Sequence, residues 1–363
     1  AFAKLAPGTW WPALGGLGVA TGFAILAFYS VIAGWTVGYL AKAVTGKFAS
    51  GLSIEQSQGV FAELSGNPVH AATWTAVFFV LTMLVVRGGI HAGIERVSKI
   101  LMPIFFILLV GLAVRSVTLP GAGEGIRFLF NTDFHKIKPN VILDALSQAL
   151  FSMSLGMGAM ITYGSYLSRK ENMPKAGMIV AAFDTGIALL AGLMIFPALF
   201  SAGAEPAGEV GLVFEVLPTI FDALPMGQMF AIGFYALLAI AALTSSISLL
   251  EVVVSYFVDE RKWSREKATW LLGAGCFLVA VPCAISGDFM NIVVQIFYTY
   301  ALAVGALLIC LFVGWKWGTA SARGELTADG SSLPGLPLWA LLIKFLCPLV
   351  VGIIVVRRLL DLF

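Results

Sequence analysis

The chain has 363 residues, 59% of them hydrophobic and only 12% charged, with a formal net charge of +2 and a mean hydropathy of +0.94. A soluble domain carries about a quarter of its residues as charges, so an ordinary water-soluble globule is excluded; the near-neutral balance says nothing about partners, and no nucleic-acid partner is expected. The charges fall between apolar runs of about the 20 residues that a helix needs to cross hydrocarbon, which predicts an all-α polytopic membrane protein.

The chain opens on AFAKLAPGTWW, already in loop-like sequence and starting with Ala1 rather than Met, so upstream sequence is expected. Nine apolar runs follow: Leu14–Leu40, Ala71–Val86, Ile94–Leu119, Val141–Leu167, Met178–Ala202, Met226–Val258, Ala268–Ile285, Asn291–Trp315 and Leu338–Val356. They read as nine helices of a single transmembrane domain spanning residues 1–363, and none has the short core and cleavage site of a signal peptide.

Lys and Arg collect in alternate loops. One set holds Lys4, Arg87, Arg96, Lys99, Arg169, Lys170, Lys175, Arg261, Lys262, Arg265, Lys267, Lys316 and Arg323. The other holds only Lys42, Lys47, Arg115, Arg127, Lys136 and Lys138. The richer set is expected in the cytoplasm, which puts the start of this chain on the cytoplasmic side of the plasma membrane; Arg357 and Arg358 then breach the rule. Cys276, Cys283, Cys310 and Cys347 lie in apolar sequence without metal or redox spacing and read as buried thiols.

The run from Leu150 to Met160, LFSMSLGMGAM, places Ser152, Ser154, Gly156 and Gly158 inside one apolar segment. A broken helix is tolerated in hydrocarbon only where its freed backbone faces protein or a wet cavity, and there it can bind ions. The plainer alternative is an unbroken helix whose small residues pack against a neighbour. This run alone leaves both readings open. Asp184, in AAFDTGIALLAG, is a carboxylate at membrane depth, expensive unless it is paired or binds something. Thr244, Ser245 and Ser246, in AALTSSISLL, cluster hydroxyls that suit a small hard cation such as Na⁺, or that satisfy themselves on the carbonyl a turn back. Glu251 lies just below them and reads as a paired or snorkelling carboxylate.

Enzymatic readings find little support. No GxxxxGK[ST] loop is present. His70, His91 and His135 fall at span ends or in loops, and Asp184 has no aspartate at matching depth, so an intramembrane hydrolase is the weakest reading.

Several motifs together carry a resemblance: FYSVIAGWTVGY, RGGIHAGIERVSKILMP, the stretch FLFNTDFHKI from Phe128, QALFSMSLGMGAMITYGSY, ALTSSIS and FVDERKWSREKA. In this order they resemble the neurotransmitter:sodium symporter family. That family includes the bacterial leucine transporter, whose substrate site lies near the bilayer midplane between broken helices. The resemblance implies an inverted-repeat fold worked by alternating access. On it, the nine runs correspond to the family's third to eleventh helices, so the first two are expected upstream. It also implies a sodium-coupled symporter with no organic cofactor, for which a homodimer is one compatible assembly. A transport-incompetent scaffold of the same fold is the alternative.

The resemblance further implies roles for individual residues. Tyr29 would donate to the substrate carboxylate and Ile25 would line the side-chain pocket. Phe151 would close over the substrate, with Ser154, Met157, Ser248 and Leu249 around its side chain. Ser152 and Asp184 would serve one sodium; the Ala241 carbonyl, Thr244 and Ser245 would serve the second. Asp184 brings its own negative charge and Ala188 lacks a hydroxyl for an anion, which implies independence from chloride. Asp259 matches an inner-gate aspartate whose partner would lie upstream. Asn291 stands where an outer-gate aspartate is usual, with Asp288 as a shifted candidate and Gln148 as a hydrogen-bonding contributor. The apolar wall of Ile25, Phe151, Met157 and Leu249 implies a hydrophobic or aromatic amino acid as substrate.

Overall fold

Proline at the first turn, followed by apolar residues on every face, starts the central helix of the molecule, which runs for 33 residues from Pro12 to Val44. At 1.5 Å per residue it is about 50 Å long, more than a bilayer's hydrocarbon, so it crosses with tilt. The structure is a computed structural model. It describes residues 2–48, 52–131, 137–168, 170–204, 206, 209–223, 226–330 and 335–360. The sequence readings of His135, Lys136 and Arg169 lie outside these residues.

In chain order the elements are α1 (Phe2–Leu5), α2 (Pro12–Val44), α3 (Ile54–Ser65), α4 (Pro68–Arg87), α5 (Arg96–Val117, entered through a π turn at Ile90–Glu95), α6 (Ala122–Phe130), α7 (Pro139–Ser152) and α8 (Ala159–Gly164). They continue with α9 (Met173–Ser201), the irregular helix α10 (209–223), α11 (Gly227–Asp259) and α12 (Arg265–Ile285). The last two are α13 (Gly287–Leu326) and α14 (Leu336–Leu360), each interrupted by π-helical turns. No strand occurs among the described residues.

Local chemistry sets the boundaries. Ser53 and Gln56 form a reciprocal capping box at the start of α3. Asn67 caps α4, Asn172 caps α9 and Ser264 caps α12, each accepting from the orphan amides of the first turn.

Among the described residues, eight helices are long and apolar enough to cross a membrane: α2, α4, α5, α9, α11, α12, α13 and α14. The run Val141–Leu167, counted as one span in the sequence, divides into α7 and α8 with irregular backbone between them, the break that the family resemblance implies. Helix α2 packs against α4, α11 and α12. Gly34 allows this, since a Cβ there would lie 2.7 Å from the Thr75 amide nitrogen of α4. The outermost helices are α9 and α14, with 6% and 11% of their apolar windows buried, against 61% for α2.

Candidate functional site

The break between α7 and α8 organises the site. Helix α7 ends with Ser154 N–H donating to the Phe151 carbonyl at 2.9 Å and Leu155 N–H to the Leu150 carbonyl at 2.8 Å. Ser154 (φ +56°), Gly156 (φ +84°) and Gly158 (φ +83°) then take left-handed conformations, strained for the serine and free for the glycines. Close packing matters as well. A Cβ on Gly156 would stand 2.2 Å from the Leu302 carbonyl oxygen of α13, and one on Gly22 of α2 would stand 3.2 Å from the Met157 carbonyl oxygen. Of the two readings left open by the sequence the broken helix is the one present, and the small-residue packing of the other accompanies it: the glycines wedge the break between α2, α11 and α13.

Around the break, α2 contributes Ile25, fully buried, and Tyr29, half-buried with its hydroxyl engaging the Ser245 side chain. Met157 and Leu249 are buried beside them. Ser248 of α11 shares a 2.7 Å hydrogen bond with Tyr163 of α8. The ring of Phe151 meets that of Tyr298 on α13 edge-on, with centroids 4.8 Å apart. Helix α2, the α7–α8 segment, α11 and α13, distant in sequence, thus supply the wall.

Oxygen atoms gather at two places. Ser152, the last residue of α7, donates its hydroxyl to a carboxylate oxygen of Asp184 on α9. On α11, Thr244 donates to the Ala241 carbonyl at 2.9 Å, the self-satisfying arrangement that its residue type allows. The same geometry leaves two oxygens side by side with Ser245 exposed next to them. Ser246 turns away, hydrogen-bonded at 2.9 Å to Thr82 of α4. Both sets offer hard oxygen donors, the chemistry that fits an alkali cation.

The predicted gate residues fall in different places. Gln148 and Phe151 line a cavity of about 380 Å³ with Asp144, Tyr298, Thr299 and Arg358. Asp259 lines a second cavity of about 390 Å³ with Gly18, Gly158 and Tyr256. Asn291 and Asp288 are exposed near the start of α13, and neither is among the residues lining the cavity of Phe151. Asp144 also receives Arg357 at 3.5 Å and Arg358 at 3.6 Å. Both cations that breach the charge rule thus pair with one local carboxylate.

Several polar partners were not legible in advance. Glu251 is fully buried and both its oxygens are engaged: Tyr166 donates to one at 2.7 Å, and Arg265 of α12 pairs with the other. Arg265 Nε also donates at 3.0 Å to the Val86 carbonyl, one of the orphan acceptors at the end of α4. Tyr163 and Tyr166 stand three residues apart, as do their partners Ser248 and Glu251. That matched spacing in TYGSY and SLLE was the available signal. Tyr298, in the run FYTY, carried none.

A polytopic helical fold with a broken span, hydroxyl and carboxylate oxygens at the break and a buried apolar wall defines a membrane transporter. Residues 63–362 match the profile of the sodium:neurotransmitter symporter family, and the chain belongs to that family. It is similar to the uncharacterized sodium-dependent transporter YhdH of Bacillus subtilis, 39% identical over 366 residues, covering 98% of this chain and 81% of that protein. It is also similar to the bovine sodium-dependent dopamine transporter, 25% identical over 316 residues, covering 82% of this chain and 44% of that protein. The crystal structure of MhsT in complex with L-phenylalanine superposes with a TM-score of 0.88 at 42% identity, covering 98% of this chain and 83% of that one. The chain is accordingly a sodium-dependent transporter rather than an enzyme, with Na⁺ as its coupling ion.

Proposed function

We propose that this protein carries a hydrophobic or aromatic amino acid into the cell together with sodium, and without chloride. The observation that carries the reading is the closed apolar wall of Ile25, Met157 and Leu249 beside the break, with no charged side chain among them. MhsT, similar over nearly the whole chain, holds L-phenylalanine, which supports the same substrate class.

In this reading Tyr29 donates to the substrate carboxylate, and Phe151 caps the substrate with its carbonyl toward the ammonium. Ser154, Met157, Ser248 and Leu249 surround the side chain. Ser152 and Asp184 hold one sodium; the Ala241 carbonyl, Thr244 and Ser245 hold a second. Because Asp184 brings a negative charge to the first sodium, no chloride is required there, and Ala188 offers no hydroxyl to an anion. Gln148 and Phe151 gate the outer path, Asp259 gates the inner one, and Asn291 supplies a hydrogen bond in place of an ion pair at the outer end.

Sodium binding completes the substrate site and favours the outward-facing state, and rocking of the broken helix against α2 and α11 releases both inside. The membrane potential contributes about 2.3 kcal/mol per charge at 100 mV. The charge pattern of the loops supports a plasma-membrane location with the start of the chain on the cytoplasmic side; a homodimer is compatible with this arrangement.

Displacement of radiolabelled L-phenylalanine from the purified protein in sodium tests the substrate class. Leucine, tryptophan and phenylalanine are expected to compete, whereas glutamate and lysine are not. Strong competition by a charged amino acid would overturn the assignment.

A further inference from the structure

Lys344 sits eight residues beyond Leu336, about 12 Å into α14. The span around it has a mean hydropathy of 2.5, so a cation there is out of place for simple membrane crossing. Two π turns meet at this level, Phe312–Gly318 on α13 and Leu342–Leu346 on α14. Gly314 lets the backbones touch, since a Cβ there would stand 3.1 Å from both the Ile343 carbonyl oxygen and Lys344 Cα. Trp315 Nε1 donates to the Lys344 carbonyl at 3.0 Å. The Lys344 ammonium lies over the Trp315 ring at 4.8 Å and near that of Phe345 at 5.6 Å.

This group faces outward. Trp315 is 58% exposed and Phe345 53%, and Leu341 and Leu349 continue the apolar strip along α14. Lys316 is exposed beside Trp315. Neither Lys316 nor Lys344 has an ion pair among the described residues. Two uncompensated ammonium groups, an indole of the kind that settles at headgroup level and an apolar strip running away from them match one kind of partner. We propose that Trp315, Lys316 and Lys344 hold the phosphate of an anionic phospholipid in the seam between α13 and α14, its acyl chains lying along Phe345 and Leu349. The rings fix the Lys344 ammonium at the headgroup boundary, and the positive charge selects anionic over zwitterionic lipid.

Native mass spectrometry of the detergent-purified chain, titrated separately with phosphatidylglycerol and phosphatidylcholine, tests this. The wild type is expected to retain phosphatidylglycerol about fivefold more strongly, the scale that one lysine contributes beside an anionic lipid. Lys344→Gln should bring the preference close to even, Lys316→Gln should lower it, and Lys344→Arg should keep it. Lys170→Gln, on an exposed loop, should change nothing. An undiminished preference in both glutamine variants of the site would overturn the proposal. So would displacement of the lipid by millimolar glycerol 3-phosphate, which marks a site for free anions.

Discussion

Ser152, at the end of α7, donates a hydrogen bond to Asp184, 32 residues further along on α9. The hydroxyl and the carboxylate reach one point from two segments, and of the two only the carboxylate carries charge. Asp184→Asn keeps the shape and removes the charge. Sodium affinity, read from sodium titrations of substrate binding, is expected to fall at least about tenfold, equivalent to about 1.4 kcal/mol. Chloride should then begin to stimulate binding, because an anion can supply what the carboxylate no longer does. An unchanged sodium titration would remove Asp184 from the ion site.

Gly156 and Gly164 provide a matched pair of substitutions. Alanine at Gly156 meets the Leu302 carbonyl oxygen at 2.2 Å and must hold φ +84°, whereas alanine at Gly164 has open space around its Cβ. A left-handed alanine alone costs about 1–2 kcal/mol and overpacking adds to it. Gly156→Ala should therefore lose about 2 kcal/mol or more and transport poorly. Gly164→Ala should be neutral or gain up to about 1 kcal/mol in helix propensity. Thermal melting of the two variants in detergent decides the point.

Glu251 depends on its partners because it is fully buried. Arg265→Ala strands the carboxylate and takes a donor from the Val86 carbonyl, for an expected loss of about 3–5 kcal/mol. Adding Glu251→Gln to that variant should recover part of the loss, since a neutral amide is easier to bury. Tyr166→Phe alone should lose about 1 kcal/mol. If the double variant is no more stable than Arg265→Ala, the charge of Glu251 is not what makes the arginine necessary.

The ion pairs of Asp144 with Arg357 and Arg358 should behave otherwise. Their side chains are 53%, 31% and 34% exposed. Exposed pairs are worth about 0–1 kcal/mol and weaken in salt. A double-mutant cycle between Asp144→Asn and Arg358→Gln should give a coupling under about 1 kcal/mol that shrinks further in high salt.

Hydropathy made the spans legible because each long apolar helix meets lipid or other helices on all sides, leaving one unbroken signal. It could not say whether Val141–Leu167 breaks, since glycine and serine serve a backbone turn and a close helix contact equally well; at Gly156 and Gly158 they serve both. Asp184 was visible because a carboxylate at depth needs a partner, yet Ser152 as that partner came only from the family resemblance. The pairing of Glu251 was anticipated in kind. Its partners, Tyr166 and Arg265, were not, because α11 meets α8 and α12 through tertiary packing that no local pattern records. The outer-gate reading of Asn291 drew on a position in a motif, and that residue is not among those lining the cavity of Phe151 and Gln148.

The central claim is sodium-coupled amino-acid transport through the broken-helix site, and uptake into proteoliposomes tests it most directly. Radiolabelled L-phenylalanine should accumulate in vesicles holding this chain under an inward sodium gradient, equally well in chloride and in gluconate. It should not accumulate when potassium replaces sodium, nor in the Asp184→Ala variant. Accumulation that persists without sodium, or that is untouched by loss of Asp184, would contradict the account.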